Sequence, residues 1–375
     1  MTLGIMPRFP ARGGRAATRH LQTLAGAALM TVALTLPASA QTMPASLSQF
    51  LQGTIGFTAD EVSSATRGMP VVKQLQTTDK REVAFIGVQA IDVPRAFYVA
   101  RASDFPAALR EPSRAALGVF SDPAVPADVA TLALPHDDVK SLAQCQPGNC
   151  KLKLPAPSIT DIRGTIDLGA PSADSATNAY FGRRMIQYVT AYRARGNAAL
   201  VVYDDAKDSA SAAQVWDGIV SRSPYIYRYA PTLDQFLRNY PKDRLPGARE
   251  VIYWSQDNVP GIKPLLSITH ELVYAPAELS GTTFIASKQL YCDHYLDGAL
   301  DLVALIDRSE SPAPDSAGIY LVMLRRIHFD DLPSGGIINV KGKVIGKTHD
   351  RTVDFLRETK KASEQAYASQ HAGPG

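Results

Sequence analysis

Four runs of β-branched and aromatic residues in the last third of the chain limit what it can fold into. They cover residues 249–255, 263–274, 282–291 and 318–328, and Pro, Gly, Asp and Ser separate them. Consecutive strands of an antiparallel sheet have this appearance. Upstream, Glu82–Ile91 is nearly continuous in apolar residues and reads as a central strand beside a shorter one at Val71–Leu75. Short strands are also expected at 117–121 and 130–134.

Helical periodicity dominates the middle of the chain. Phe181, Met185, Tyr188, Val189 and Tyr192 recur at helical spacing over residues 174–195, and Gly196 ends the pattern. Shorter helices are predicted at 211–222 and 232–239. Tyr225, Tyr227 and Tyr229 alternate, which reads as an edge packing against the preceding helix, with a ligand-lining surface as the alternative. Thr58 and Glu61 form a capping box for an early helix, and Pro94 starts another. The last predicted element is a helix over about 341–365, weakened at Gly342 and Gly346 and carrying Val353, Phe355 and Leu356. The expected fold class is therefore α+β, with a curved antiparallel sheet, helices on one side of it, and a C-terminal helix covering it. Residues 41–369 form one domain with a helical insertion at about 171–245, and residues 370–375 a disordered tail.

Residues 1–40 are set apart from this domain. Arg8, Arg12, Arg15 and Arg19 precede an apolar stretch at 24–36, and Ala38-Ser39-Ala40 supplies small residues for cleavage. This is the pattern of a secretory signal peptide, too short to span a bilayer comfortably. Removing it lowers the formal net charge from +3 to −1, so nothing basic points to nucleic acid. No second apolar run of that length follows, and no integral membrane segment is expected in a mature protein that is periplasmic or secreted.

The three cysteines suit that compartment. Cys145 and Cys150 flank Gln-Pro-Gly-Asn, and a hairpin with this loop would bring them to bridging distance. Cys292 is left over; a buried thiol is the favoured account and a catalytic nucleophile the alternative.

Alternation along the strands selects the polar residues worth following. His270 shares a face with Leu266, Ile268, Leu272 and Tyr274. Lys288 shares one with Phe284, Leu290 and Cys292, and His294 lies further along it. A polar group on an apolar face needs a partner, since burying it unpaired costs roughly 2–7 kcal/mol. His270, Lys288 and His294, with the aromatic residues Trp254 and Tyr291, therefore form the expected ligand-binding set. Satisfied structural residues, or a lysine stem lying along apolar surface, explain the same pattern. No metal site is expected, because Tyr274 stands where a zincin helix needs its second histidine after His270-Glu271. No dinucleotide or phosphate-binding loop occurs either, and no cofactor is expected.

Three segments carry a resemblance. They are Cys145-Gln-Pro-Gly-Asn-Cys-Lys-Leu-Lys-Leu-Pro155, Tyr192-Arg-Ala-Arg-Gly-Asn-Ala-Ala-Leu200, and Tyr253-Trp-Ser255 with Lys263-Pro264 and Thr269-His270. In these the chain resembles a set of uncharacterised exported bacterial proteins, a likeness covering most of the mature chain and implying no activity. The order of elements also resembles the helix-grip layout of START-type lipid-binding domains. That likeness implies a last helix lying across the sheet and closing an apolar cavity. The expected function is binding of an apolar or lipid-like small molecule between sheet and C-terminal helix. The alternatives are a periplasmic hydrolase or lyase using His270 with Lys288 or His294, and a structural or assembly partner in the envelope.

Overall fold

The computed structural model describes residues 43–110, 113–308, 318–333 and 339–371. The expected leader at 1–40 lies outside them. Among the described residues no helix is long and apolar enough to cross a membrane.

The strands are β1 (Val71–Leu75), β2 (Glu82–Ile91), β3 (Arg114–Val119), β4 (Val202–Tyr203), β5 (Ala210–Ser211), β6 (Arg249–Asp257), β7 (Leu265–Tyr274), β8 (Thr282–Cys292), β9 (Leu296–Asp307) and β10 (Ile319–Phe329). Eight of them form one sheet in the order β1-β2-β10-β9-β8-β7-β6-β3, and β4 pairs separately with β5. Every pairing in the large sheet is antiparallel. β6 to β10 run as a meander, each beside its predecessor. The early strands attach at its two sides, β2 to β10 and β3 to β6. The α+β reading and the four strand runs at 249–328 agree with this.

β9 is the strand that the sequence pattern does not announce. Asp297, Gly298 and Asp301 interrupt its apolar residues. Asp301 is tolerated because Arg325 sits directly opposite on β10 and grips its carboxylate with two nitrogens, Nε to Oδ1 at 3.0 Å and Nη2 to Oδ2 at 2.7 Å. Gly298 is tolerated because a Cβ there would come within 3.1 Å of Val215 on the helix packed above.

Helices lie on both faces of the sheet, not on one. Those preceding the insertion are α1 (Ala45–Gln49), continued by a π-helical turn at Phe50–Ile55, α2 (Ala59–Thr66), α3 (Arg95–Ala102) and α4 (Phe105–Ala108). Between the neighbouring strands β3 and β6 come α5 (His136–Ser141), α6 (Ala156–Thr165), α7 (Ala173–Arg195), α8 (Ala212–Ser221), α9 (Pro224–Tyr229) and α10 (Pro231–Asn239). The inserted helical region thus begins well before residue 171. Helices α7, α8 and α10 share the main apolar core with one sheet face, through Leu272, Phe284, Leu302 and Val322. The opposite face, through Leu321, Met323, Val303 and Ile285, packs against α3 and the C-terminal helix α11 (Val340–His371). With both faces covered, every residue of β2, β7 and β10 is buried.

Several expectations change at this level. Residues 130–131 form a turn after a 3-10 segment and 132–134 are irregular, so no strand forms there. Residues 224–229 are helical because Pro224 opens a turn, so Tyr225 and Tyr229 share a side while Tyr227 is 63% exposed. Cys145 and Cys150 are bonded, but no strand leads into them. Helix α5 and a 3-10 turn do, and only Gln146 and Asn149 pair as a bridge. The terminal helix runs from Val340 through His371, so residues 370 and 371 are helical.

Seating of α11 depends on a close approach at one glycine. Gly87 on β2 faces the helix, and a Cβ there would lie 2.9 Å from Leu356 Cδ1. Leu356 is fully buried in a helix stripe otherwise made of Thr348, Thr352, Thr359 and Ser363. It is the largest apolar group in that stripe, so Leu356→Ala is expected to lower the unfolding free energy by about 2–5 kcal/mol in urea melts.

Candidate functional site

A groove opens on the insertion side of the sheet, not beneath α11. Its floor is Ile86, Phe284, Leu302, Val322 and Leu324, and its walls come from α1, the π-helical turn and α9. The space measures about 180 Å³ and its lining is almost wholly apolar. Phe50 stands edge-on to both Tyr225 and Tyr229, with ring centroids 5.8 Å and 5.3 Å away. Those two tyrosines are four residues apart on α9, which is why one helix face presents both. Ser46 and Tyr229 are exposed and mark the polar entrance.

His270 and Lys288 lie opposite each other on β7 and β8, as alternation suggests, and they point into the core shared with the inserted helices. The C-terminal helix covers the other face. His270 Nδ1 is 3.1 Å from the Tyr192 hydroxyl and Nε2 is 3.0 Å from Glu250 Oε2. A neutral imidazole satisfies both contacts, donating from Nε2 and accepting at Nδ1. Burial pushes its pKa down, opposed by Glu250. The Lys288 ammonium donates to Asn197 Oδ1 and sits 4.3 Å from the centre of the Trp216 ring. Burial pushes its pKa well below the ordinary lysine value. Tyr192, Phe236, Tyr240 and Leu272 fill the surroundings and leave about 10 Å³, room for one water at most.

The other expected ligand residues go elsewhere. A β-bulge between Ile268 and Thr269 sets Thr269 opposite Gln289 and Ile268 opposite Tyr291, so Leu290 is the extra residue. Simple alternation put Cys292 on the face of Lys288, and the bulge reverses this. Tyr291 turns toward the inserted helices, where it lines a second hollow of about 90 Å³, and Cys292 turns to the opposite side. Trp254 is fully buried beside Gly118 and donates from Nε1 to the Asp128 carbonyl at 2.8 Å. His294 lies beyond the end of β8, apart from His270.

Around His294 the end of the sheet gathers charge. His294 Nε2 is 3.2 Å from Asp138 Oδ2, and Lys263 donates to the other oxygen of Asp138. Asp293 is buried with its Oδ1 accepting from Leu266 N at 2.9 Å, and burial pushes its pKa up to about 7. Tyr295 holds φ at 61°, a left-handed value uncommon outside glycine, which turns the chain sharply after His294.

A second network adjoins the first, since Lys153 N donates to the Asp293 carbonyl at 2.8 Å. The Lys153 ammonium lies 2.8 Å from Asp297 Oδ1, 3.9 Å from both Asp205 and Asp330, and 4.4 Å from the centre of the Tyr203 ring. His328 bridges Asp297 and Asp79, each at 3.1 Å. The disulfide loop delivers this lysine: Gly148 N and Cys150 N donate to the carbonyls of Asp204 and Asp205. Six ionisable side chains from separate segments are thus tied together where the strand ends meet. No spacing in the sequence announces such a set, because its members come from positions 79 to 330.

No family model and no curated protein matches the chain.

The lysine niche makes a testable claim about stability. Because the folded state disfavours the Lys288 proton, the unfolded chain binds it more tightly below the ordinary value of 10.5. Stability attributable to this group should therefore rise with pH from the depressed folded value up to 10.5. Lys288→Met is expected to flatten that rise in melts between neutral and alkaline pH. At neutral pH it should leave stability unchanged or raise it by up to about 2 kcal/mol.

Proposed function

We propose that this is an exported protein, periplasmic or secreted, that binds an apolar or amphipathic small molecule in the groove between the sheet and α1 and α9. The apolar groove at Phe50, Phe284 and Leu302 is the observation that carries the reading. Apolar surface left open to water is unfavourable, and each methylene buried against it contributes about 0.8 kcal/mol. A space of about 180 Å³ is slightly larger than the roughly 150 Å³ of a protein cavity that takes up benzene. It suits a single ring or a short stretch of acyl chain, with a polar end at the entrance beside Ser46 and Tyr229. The disulfide between Cys145 and Cys150 supports export. His270 and Lys288 then serve the fold, joining the inserted helices to the sheet, and the ligand role expected for them passes to the groove residues.

Ala304 lines the groove from β9 and is only partly buried, so an indole can enter the space with the backbone unchanged. Wild-type protein is expected to enhance the fluorescence of N-phenyl-1-naphthylamine and to carry an apolar molecule detectable by native mass spectrometry. Ala304→Trp should weaken dye binding by about tenfold or more without lowering the melting temperature. Equal dye binding by both proteins, or none by either, would sink the reading.

A further inference from the structure

Asp138, Asp293 and His294 converge although they come from α5 and the turn after β8. One ligand-capable atom from each lies within 4.8 Å of the others, and all three residues are buried. The hydrogen bonds present do not use up this set. Asp293 Oδ1 accepts from Leu266 N, but Asp293 Oδ2 is buried with no hydrogen-bond partner, on a residue only 1% exposed. A buried carboxylate oxygen with nothing to accept is unfavourable, and such orphans are rare in native proteins.

We infer that Asp138, Asp293 and His294 form a binding site for a divalent transition cation of the zinc class. One imidazole nitrogen and two carboxylate oxygens make a borderline donor set that favours Zn²⁺ over Mg²⁺ or Ca²⁺. In a tetrahedral site with bonds near 2.1 Å, neighbouring donors stand about 3.4 Å apart. His294 Nε2 and Asp138 Oδ2 are already 3.2 Å apart, and a ligand atom of Asp293 lies within 4.8 Å of those of its two neighbours. Two carboxylates balance the ion's charge, and three protein ligands leave a fourth position for water.

The surroundings hold the ligands in place. Asp293 N donates to the Leu266 carbonyl at 3.1 Å, so Asp293 is fixed to β7 by backbone and side chain together. The Cys292 thiol donates to the His294 carbonyl at 3.2 Å and fixes the turn. Lys263 stands at the mouth with its side chain 39% exposed and its ammonium on Asp138. It is a removable monovalent stand-in for the ion, and metal entry displaces it into solvent. The site is separate from the apolar groove, and neither reading depends on the other.

Isothermal titration of the untagged full chain with Zn²⁺, after chelator treatment and dialysis, tests the proposal. Wild type is expected to bind one equivalent and to melt at a higher temperature with zinc than without. Asp293→Asn keeps an acceptor for Leu266 N and so keeps the turn; it and His294→Ala should each weaken binding by about 100-fold. Lys263→Ala, which removes the competing ammonium, should instead tighten binding, an effect that a purely structural charge cluster would not produce. Circular dichroism checks that each variant is folded, and Asp293→Asn alone decides if His294→Ala is not. Absence of stoichiometric zinc in wild type, undiminished binding by folded Asp293→Asn, or preference for Mg²⁺ over Zn²⁺ would overturn the assignment.

Discussion

Because both faces of the sheet are covered, a charge on a central strand has no water to turn to and must find its partner inside the protein. Asp301 and Arg325 meet that condition by sitting directly opposite each other on β9 and β10. Next to them Ser287 on β8 donates to Glu271 on β7, so four adjacent strands carry a polar row at one level. Removing one member would strand its neighbour's charge, whereas the row as a whole fixes the register of strands whose apolar residues alone would pack in more than one alignment.

Elsewhere the same condition is met at the strand ends. Lys153, His328 and their carboxylates, with Glu82 between Arg222 and Arg326, lie where the sheet meets its connections. The groove at Phe50 and Phe284 is the opposite case, an apolar surface walled by α1, its π-helical continuation and α9. The insertion face thus holds a greasy space, while a dense group of ionisable side chains gathers where β8 ends and β9 begins.

How much of this was legible in the residues depends on whether the information was local. β6, β7, β8 and β10 were readable because their β-branched runs are long and bounded by turn residues. β9 was hidden because Asp301 looks like a breaker until Arg325 is placed across from it. Alternation puts His270 and Lys288 on apolar strand faces, and both are buried, yet no pattern tells which layer covers them, and it is α7 and α10 rather than α11. The faces of Tyr291 and Cys292 were beyond alternation because one bulge inverts the count. The cluster of Asp138 with Asp293 and His294 joins residues more than 150 positions apart, a distance at which spacing carries no signal.

The sheet's connectivity also bears on how the chain reaches this state. β6 to β10 pair with immediate neighbours, while β2 waits for β10 across more than 220 residues and β3 waits for β6 across the helical insertion. β2, apolar along nearly its whole length, comes early in the chain, whereas β10, which covers its inner edge, comes near the end. Until β10 pairs with it, that edge is an open template for foreign strands, so the docking of β10 closes both the sheet and a route to aggregation.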